Sequence, residues 1–424
     1  MTARGAGGVA PGGIAATSDE RASAAALRDS GRAWLDMTLA AVSMFTVFAV
    51  AYSFGTFVKP MSAEFHASRG ATALVFGVTA FAYFGLGALT GPLVHRVGPR
   101  AMVIVGGVVL VIGVLLTSRV HAMWQAYVTY GLGVGIGVAC CYVPMVAVVG
   151  GWFERRRNLA IGIAVSGIGF SSLFGAPIAA RLIKAQGWRH AYQVIAIAAG
   201  VLLAVVAALV RTPPGFNHAP SMRLGEAVRS RLFALSYFAA LLCSIPLFSV
   251  FVNLVPYAED HGIKRVTAAT LLSLIGGASI VGRNGLALLA RRVGTPVVYA
   301  ASFGGMAVTQ LLWLGSGHHY GLLALFALLF GFSYGGFISL SPVMMAELFG
   351  PEQMGGLIGI NYSAAGIGAL FGPTIGAWLV DRTGTYSTTI VLGCACGVAA
   401  TGLLWMLART ADSARAATPA RATG

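Results

Sequence analysis

The chain has 424 residues, 57% of them hydrophobic and 10% charged, with a net charge of +15. A soluble domain carries about 25% charged residues, so this composition excludes an ordinary globular protein. The positive charge does not mark a nucleic-acid binder either: the arginines sit in short breaks between apolar runs, not on a basic face with interleaved aromatics.

Residues 1–32 are rich in Gly, Ala and Ser, carry Arg4, Arg21, Arg28 and Arg32, and read as a disordered tail. The first apolar stretch, 33–58, is far longer than a signal-peptide core of about 7–15 residues. It reads as the first of twelve membrane-spanning helices. The others fall at about 72–94, 101–119, 122–150, 158–182, 190–210, 232–257, 267–290, 296–315, 320–346, 354–380 and 386–408. A membrane β-barrel would show alternating segments of about ten residues, and these runs do not alternate. The longest polar break, 211–231, "RTPPGFNHAPSMRLGEAVRSR", reads as a linker between bundles 33–210 and 232–408. Residues 409–424 read as a second tail.

With an even number of spans both tails share one side. That side collects eighteen Lys and Arg and the other nine, which predicts both termini in the cytoplasm. The twenty-eighth cation is Arg283, inside span eight. The halves also repeat. "GPLVHRVGPR" after span two matches "LALLARRVGTP" after span eight, and "SGIGFSSLFGAP" in span five matches "AGIGALFGP" in span eleven. Duplicated six-helix halves mark secondary transporters, with the substrate site between them near mid-membrane. The repeat places Gly87 opposite Arg283, so the scaffold itself does not require a cation there.

Arg283 lies roughly 12 Å from the cytoplasmic end of its helix, at about 1.5 Å per residue. A charge at that depth costs at least about 2.5–3.5 kcal/mol and usually faces a cavity and a ligand. Snorkelling to the surface would stretch the side chain, and a structural ion pair needs an acid. All thirteen acids lie in tails, loops or helix ends, none at Arg283's depth. The missing anion is read as the substrate, since the guanidinium fork suits a carboxylate. Gly276, Ser279 and Ala287 share its helix face and either leave room for a ligand or permit close packing.

Other polar groups inside the spans are Tyr52, Tyr130, Tyr142, Asn253, Asn284, Gln310, Tyr334, Asn361 and Tyr362. From these Tyr130, Tyr142, Tyr334, Asn253 and Asn361 are taken as candidate cavity residues beside Arg283. Gly91, Arg96, Gly98 and Arg100 in "GPLVHRVGPR", with Arg155, Arg156 and Arg157 in "GWFERRRNLA", are taken as an orientation and gating motif. The five cysteines lie in apolar spans with no zinc-site spacing, and read as small buried hydrophobes. No phosphate-cradling loop, Ser/His/Asp set or metal constellation is visible. No cofactor and no enzymatic activity are expected.

Four segments carry a family resemblance: "YSFGTFVKPMSAEFHASRGA", "YVPMVAVVGGWFERRRNLAIGIAVSGIGF", "VFVNLVPYAEDHGI" and "GASIVGRNGLALLARR". With the twelve spans and the loop after span two, they resemble the major facilitator superfamily, and within it the monocarboxylate porter family, which includes the oxalate–formate exchangers. The resemblance covers about residues 33–408. It implies that the span-eight arginine, here Arg283, binds the substrate carboxylate. The chain also departs from the family. Proton-coupled animal members carry an Asp where this chain has Ser279, and a Lys where it has Tyr52. The oxalate exchanger's span-eleven Lys has no counterpart here.

The fold expected is an all-α membrane protein of twelve transmembrane helices in two pseudo-symmetric six-helix bundles. The function expected is alternating-access transport of a small monocarboxylate across the cell membrane, with proton coupling, exchange and facilitated diffusion all open. A non-transporting carboxylate sensor and an exporter of larger apolar compounds are the alternatives. The expected partners are a small organic anion, protons as a possible coupling ion, and the lipid bilayer; nucleic acid is excluded, and a monomer suffices.

Overall fold

The computed structural model describes residues 28–214, 216, 225–349 and 354–417. The N-terminal tail up to residue 27 and residues 215 and 217–224 of the expected linker lie outside them. Eleven helices in this range are long and apolar enough to cross a membrane. The first is α1 (Gly31–Thr56), followed by a short helix at Val58–Glu64. Next come α2 (Arg69–Val97), α3 (Pro99–Thr117) and α4 (Met123–Trp152). The helix Arg157–Leu209 has 53 residues, about twice what one crossing needs. It breaks at Gly187, whose φ of 79° turns the chain back and divides it into α5 (157–186) and α6 (188–209). The second half holds α7 (Arg231–Asp260), α8 (Arg265–Val293), α9 (Thr295–Leu314), α10 (Tyr320–Phe349), α11 (Met354–Thr383) and α12 (Ser387–Ala417). Counting the broken helix as two gives twelve crossings, six in each half.

The two halves repeat their punctuation. Ser30 caps α1 and Ser230 caps α7, each accepting from a backbone N–H three residues on. Gly98 and Gly294, with φ of 81° and 102°, end α2 and α8, and a proline opens the helix that follows each. The turns at Gly187 and Gly384 occupy matching places. These are backbone marks of the pseudo-symmetry that the repeated motifs predict.

Boundaries differ from expectation at both ends. Helix α12 runs to Ala417, past the expected end at 408, because "ARTADSARAA" is rich in good helix formers. At the other end Asp29, expected in a disordered tail, reaches the loop between α4 and α5. Its carboxylate accepts from the backbone N–H groups of Glu154, Arg155 and Arg156. Burial opposes ionisation of Asp29, but these three bonds prevail and hold its carboxyl below the usual carboxylate range. Helix α4 is also less regular than its hydropathy suggests: Tyr127–Leu132 forms a π-helical segment, and the chain kinks at Tyr142, just before Pro144.

The halves meet along two seams, α2 with α11 and α5 with α8. Along α2 the seam runs from Gly70 against Trp378, through Gly77 against Leu370, to Phe84 against Tyr362. Beyond that, Gly87 and Gly91 face Val143 of their own half. Among the described residues, the ion pairs that cross the halves lie on the face away from the termini. Lys59 pairs with Asp260 at 2.6 Å and with Glu259 at 3.5 Å, and Arg69 pairs with Asp260 and Asp381. Tyr386 adds a hydroxyl bond to Asp260 at 2.7 Å. The halves are therefore tied together by charge on the far side.

Candidate functional site

Arg283 sits on α8 between two close helix contacts. On one side Gly276 faces α5, where an added Cβ would press on Ser172, Leu173 and the Gly169 carbonyl. On the other, Gly282 lies against the Phe332 carbonyl of α10, and Gly335 of α10 lies against the Ser279 carbonyl and the Arg283 amide. The small residues beside Arg283 thus permit close packing, the second of the two roles the sequence allows. From this packed helix the guanidinium reaches into the seam between the halves.

There its Nη1 donates to the Val165 carbonyl of α5, in the opposite half, at 2.6 Å. Its Nε and Nη2 are buried with no hydrogen-bond partner, and the residue is 6% exposed. Buried guanidinium donors are almost always bonded, so two orphans on one fork are a signal of a ligand. None of the ion pairs among the described residues includes Arg283. The phenols of Tyr334, Tyr142, Tyr52 and Tyr362 lie in its electrostatic surroundings.

Each phenol comes from a different helix: Tyr52 from α1, Tyr142 from α4, Tyr334 from α10 and Tyr362 from α11. The Tyr52 and Tyr334 hydroxyls meet across the halves at 3.4 Å. Tyr52 lies against Phe251 with centroids 4.6 Å apart, Phe84 bridges to Phe248 and Tyr362, and Phe251 meets Tyr334 edge-on. These rings pack on one another across the seam between the halves. Tyr142 and Tyr362 stay partly exposed. The result is a buried cluster at the seam between the halves, with one cationic fork, several hydroxyls and apolar rings.

Of the candidates taken from sequence, Tyr142 and Tyr334 stand with Arg283. Three others are placed elsewhere. Tyr130 donates to the Val50 carbonyl at 2.7 Å and packs on Phe54 and Tyr192 inside the first half. Asn253 donates to Ser249 Oγ at 3.0 Å and borders the Pro373 carbonyl. Asn361 accepts from Ser236 Oγ at 3.4 Å. Two phenols at the guanidinium, Tyr52 and Tyr362, were absent from that selection. Tyrosine in an apolar span carries no sequence mark of the face it takes, although the repeat, by placing the seam, narrows the choice. The Val165 carbonyl has no sequence signal at all.

In the orientation motif, Arg96 and Arg100 are exposed around the Gly98 turn. Arg155, Arg156 and Arg157 are exposed on the loop that Asp29 fastens. His95, beside Arg96, shares a 2.6 Å hydrogen bond with the Phe216 carbonyl. Among the described residues, no three His, Cys, Asp or Glu come together as a metal site.

Two six-helix halves, joined along two seams with a buried polar cluster between them, have the architecture of a membrane transporter. The chain belongs to the Major Facilitator Superfamily, whose family model it matches over residues 40–297 and 286–423. Its relatives there include Monocarboxylate transporter 12-B of Danio rerio, 30% identical over 355 residues and 72% of each chain. Monocarboxylate transporter 3 of Rattus norvegicus is 29% identical, over 86% of this chain and 77% of its own length. Monocarboxylate transporter 13 of Bos taurus is 29% identical over 89% of each.

Proposed function

We propose that this transporter carries a small monocarboxylate across the cell membrane by alternating access, with both termini in the cytoplasm. The observation that carries the reading is the buried Arg283 fork, with Nε and Nη2 unbonded and no carboxylate paired with it. Nε and one terminal nitrogen form the edge that grips a carboxylate with two parallel bonds. The ring walls suit the apolar body of an organic acid, and the phenols offer donors to its oxygens. One cation at this depth matches one carboxylate. The relatives' names support the same substrate class. The excess of cations on the side of the termini supports the orientation, which makes the far-side latch extracellular.

In this reading the acid enters from the cytoplasmic opening past Tyr142 and Tyr362, and its carboxylate takes the free edge of Arg283. The halves then rock about the α2–α11 and α5–α8 seams, and the loops bearing Gly91, Arg96, Gly98, Arg100 and Arg155–Arg157 come together as the far-side latch releases. The test is uptake of radiolabelled lactate and pyruvate by proteoliposomes. Arg283→Gln abolishes uptake. Arg283→Lys loses most of it, because a point charge replaces a fork. Wild-type rates in Arg283→Gln would remove the anchor.

A further inference from the structure

We propose that the far-side latch carries a lipid site, which takes a phospholipid with a phosphoethanolamine headgroup. A cavity of about 650 Å³ lies beside the latch, where Arg69 meets the ends of α7 and α11 and the start of α12. Its charged lining groups are Arg69, Asp260 and Asp381, one cation and two anions, so the wall carries one negative charge in excess. The cation is already engaged: Arg69 donates to Asp260 and, at 2.6 Å, to the Tyr386 hydroxyl. Asp260 is served a second time by Lys59 at 2.6 Å. Asp381 is the weakly served acid. It accepts from the Gly70 amide at 3.1 Å, and Arg69 Nε stands 3.9 Å from its other oxygen. A carboxylate offers about four lone-pair sites, and a primary ammonium brings three N–H donors to them. The opposite preference lies next to it. Ser387, the first residue of the 31-residue helix α12, lines the same cavity, and the first-turn amides and dipole of such a helix favour an anion. The hydroxyls of Thr385 and Ser387 add donors for a phosphate. A headgroup with an ammonium and a phosphate a few bonds apart answers both ends of the cavity.

The cavity continues into the apolar zone. Leu314 and Ile390 line it and also line a groove of about 250 Å³ between α9 and α12, together with Leu311, Val391 and Cys394. Leu311, Leu314 and Val391 are exposed on helices long and apolar enough to cross a membrane, so this groove faces lipid. A polar cavity that runs into a lipid-facing groove fits an amphiphile, with its headgroup beside the latch and an acyl chain between α9 and α12. A free headgroup would leave the groove unfilled. The site also biases the carrier. Among the described residues that line the cavity, Arg69 alone comes from the first half. Opening the far side draws Arg69 away from Asp260 and Asp381 and removes one wall. A lipid that binds the complete cavity therefore favours the latched state, by as much as its affinity for the two states differs.

The experiment titrates phosphatidylethanolamine, phosphatidylcholine and phosphatidylglycerol into the full-length carrier in detergent and counts bound lipid by native mass spectrometry. The expected result is that phosphatidylethanolamine binds at least about tenfold more tightly than either of the others, and that Asp381→Asn removes most of this preference. Ala395→Trp fills the groove without touching a latch residue, and weakens phosphatidylethanolamine binding by about fivefold or more. Should Asp381→Asn fail to fold, Ala395→Trp decides alone. Spin labels at positions 66 and 264 read the conformational bias: the far-side distance is shorter in nanodiscs of phosphatidylethanolamine than of phosphatidylcholine, and Ala395→Trp removes the difference. Equal affinity for the three lipids, a preference for phosphatidylglycerol, or a preference that neither variant alters would overturn the site. Free phosphoethanolamine binding as tightly as the lipid would overturn the lipid as occupant.

Discussion

At the residue scale, the phenols around Arg283 divide by exposure: Tyr142 and Tyr362 are partly exposed, whereas Tyr52 and Tyr334 are buried. A hydroxyl bonded to a bound carboxylate contributes about 1.5–3 kcal/mol. Tyr142→Phe therefore raises KM for uptake by roughly tenfold or more with little change in maximal rate. Tyr130→Phe behaves differently. It loses the bond to the Val50 carbonyl, which Ser53 Oγ also serves, so it lowers thermal stability by about 1 kcal/mol and leaves KM unchanged. Flux kinetics and thermal unfolding of the two variants separate the roles. Arg283 was legible in the sequence because a charge in an apolar run is conspicuous. The phenols were not, since Tyr130 and Tyr142 share one helix twelve residues apart, and only the π segment and the kink before Pro144 decide which ring enters the seam.

At the element scale, α8 is positioned by backbone-to-backbone contacts that glycine alone allows. Gly282→Ala drives a methyl into the Phe332 carbonyl, forces α8 and α10 apart and displaces Arg283 with them. The expected result is a loss of at least about 2 kcal/mol of stability in detergent, together with loss of uptake. A second element is the short helix after α1, tied down at its end by Glu64. Its carboxylate accepts from Arg189 and from Trp188 Nε1. Burial would raise the pKa of Glu64, but the bonds from Arg189 and Trp188 outweigh it and hold the carboxyl below its usual range. A depressed folded pKa gives stability that is present above the unfolded value of about 4.3 and lost as pH falls through the folded one. Glu64→Gln accordingly lowers stability at pH 7, by less than about 1 kcal/mol for so exposed a pair, and matches wild type in strong acid. Helix number and order were readable from hydropathy, and the turn at Gly187 from its polar surroundings. The π-helical segment was not, because it leaves the apolar pattern intact.

At the scale of the whole molecule, the balance between conformations depends on what ties each face. Lys59 and Arg69 from one half meet Glu259, Asp260 and Asp381 from the other, with Tyr386 bonded into the cluster. Asp260 is shared by both cations, so Asp260→Asn weakens two contacts at once and shifts the population toward the state open on the far side. Spin labels at positions 66 and 264, with the native cysteines replaced, report this as a longer far-side distance in the variant; an unchanged distance would show that the aromatic packing alone sets the balance. The repeat made the two-half architecture visible before any coordinates. The conformation was not visible, because one sequence must stabilise both facing states and its motifs mark the hinges without choosing between them.

The claim on which the functional account turns is that a carboxylate occupies the free edge of Arg283. The most direct measurement is a high-resolution structure determined with saturating lactate or pyruvate. The account predicts the carboxylate within hydrogen-bond distance of Arg283 Nε and a terminal nitrogen, with phenol hydroxyls turned toward it. An acid bound elsewhere, with Nε and Nη2 still unpartnered, would contradict it.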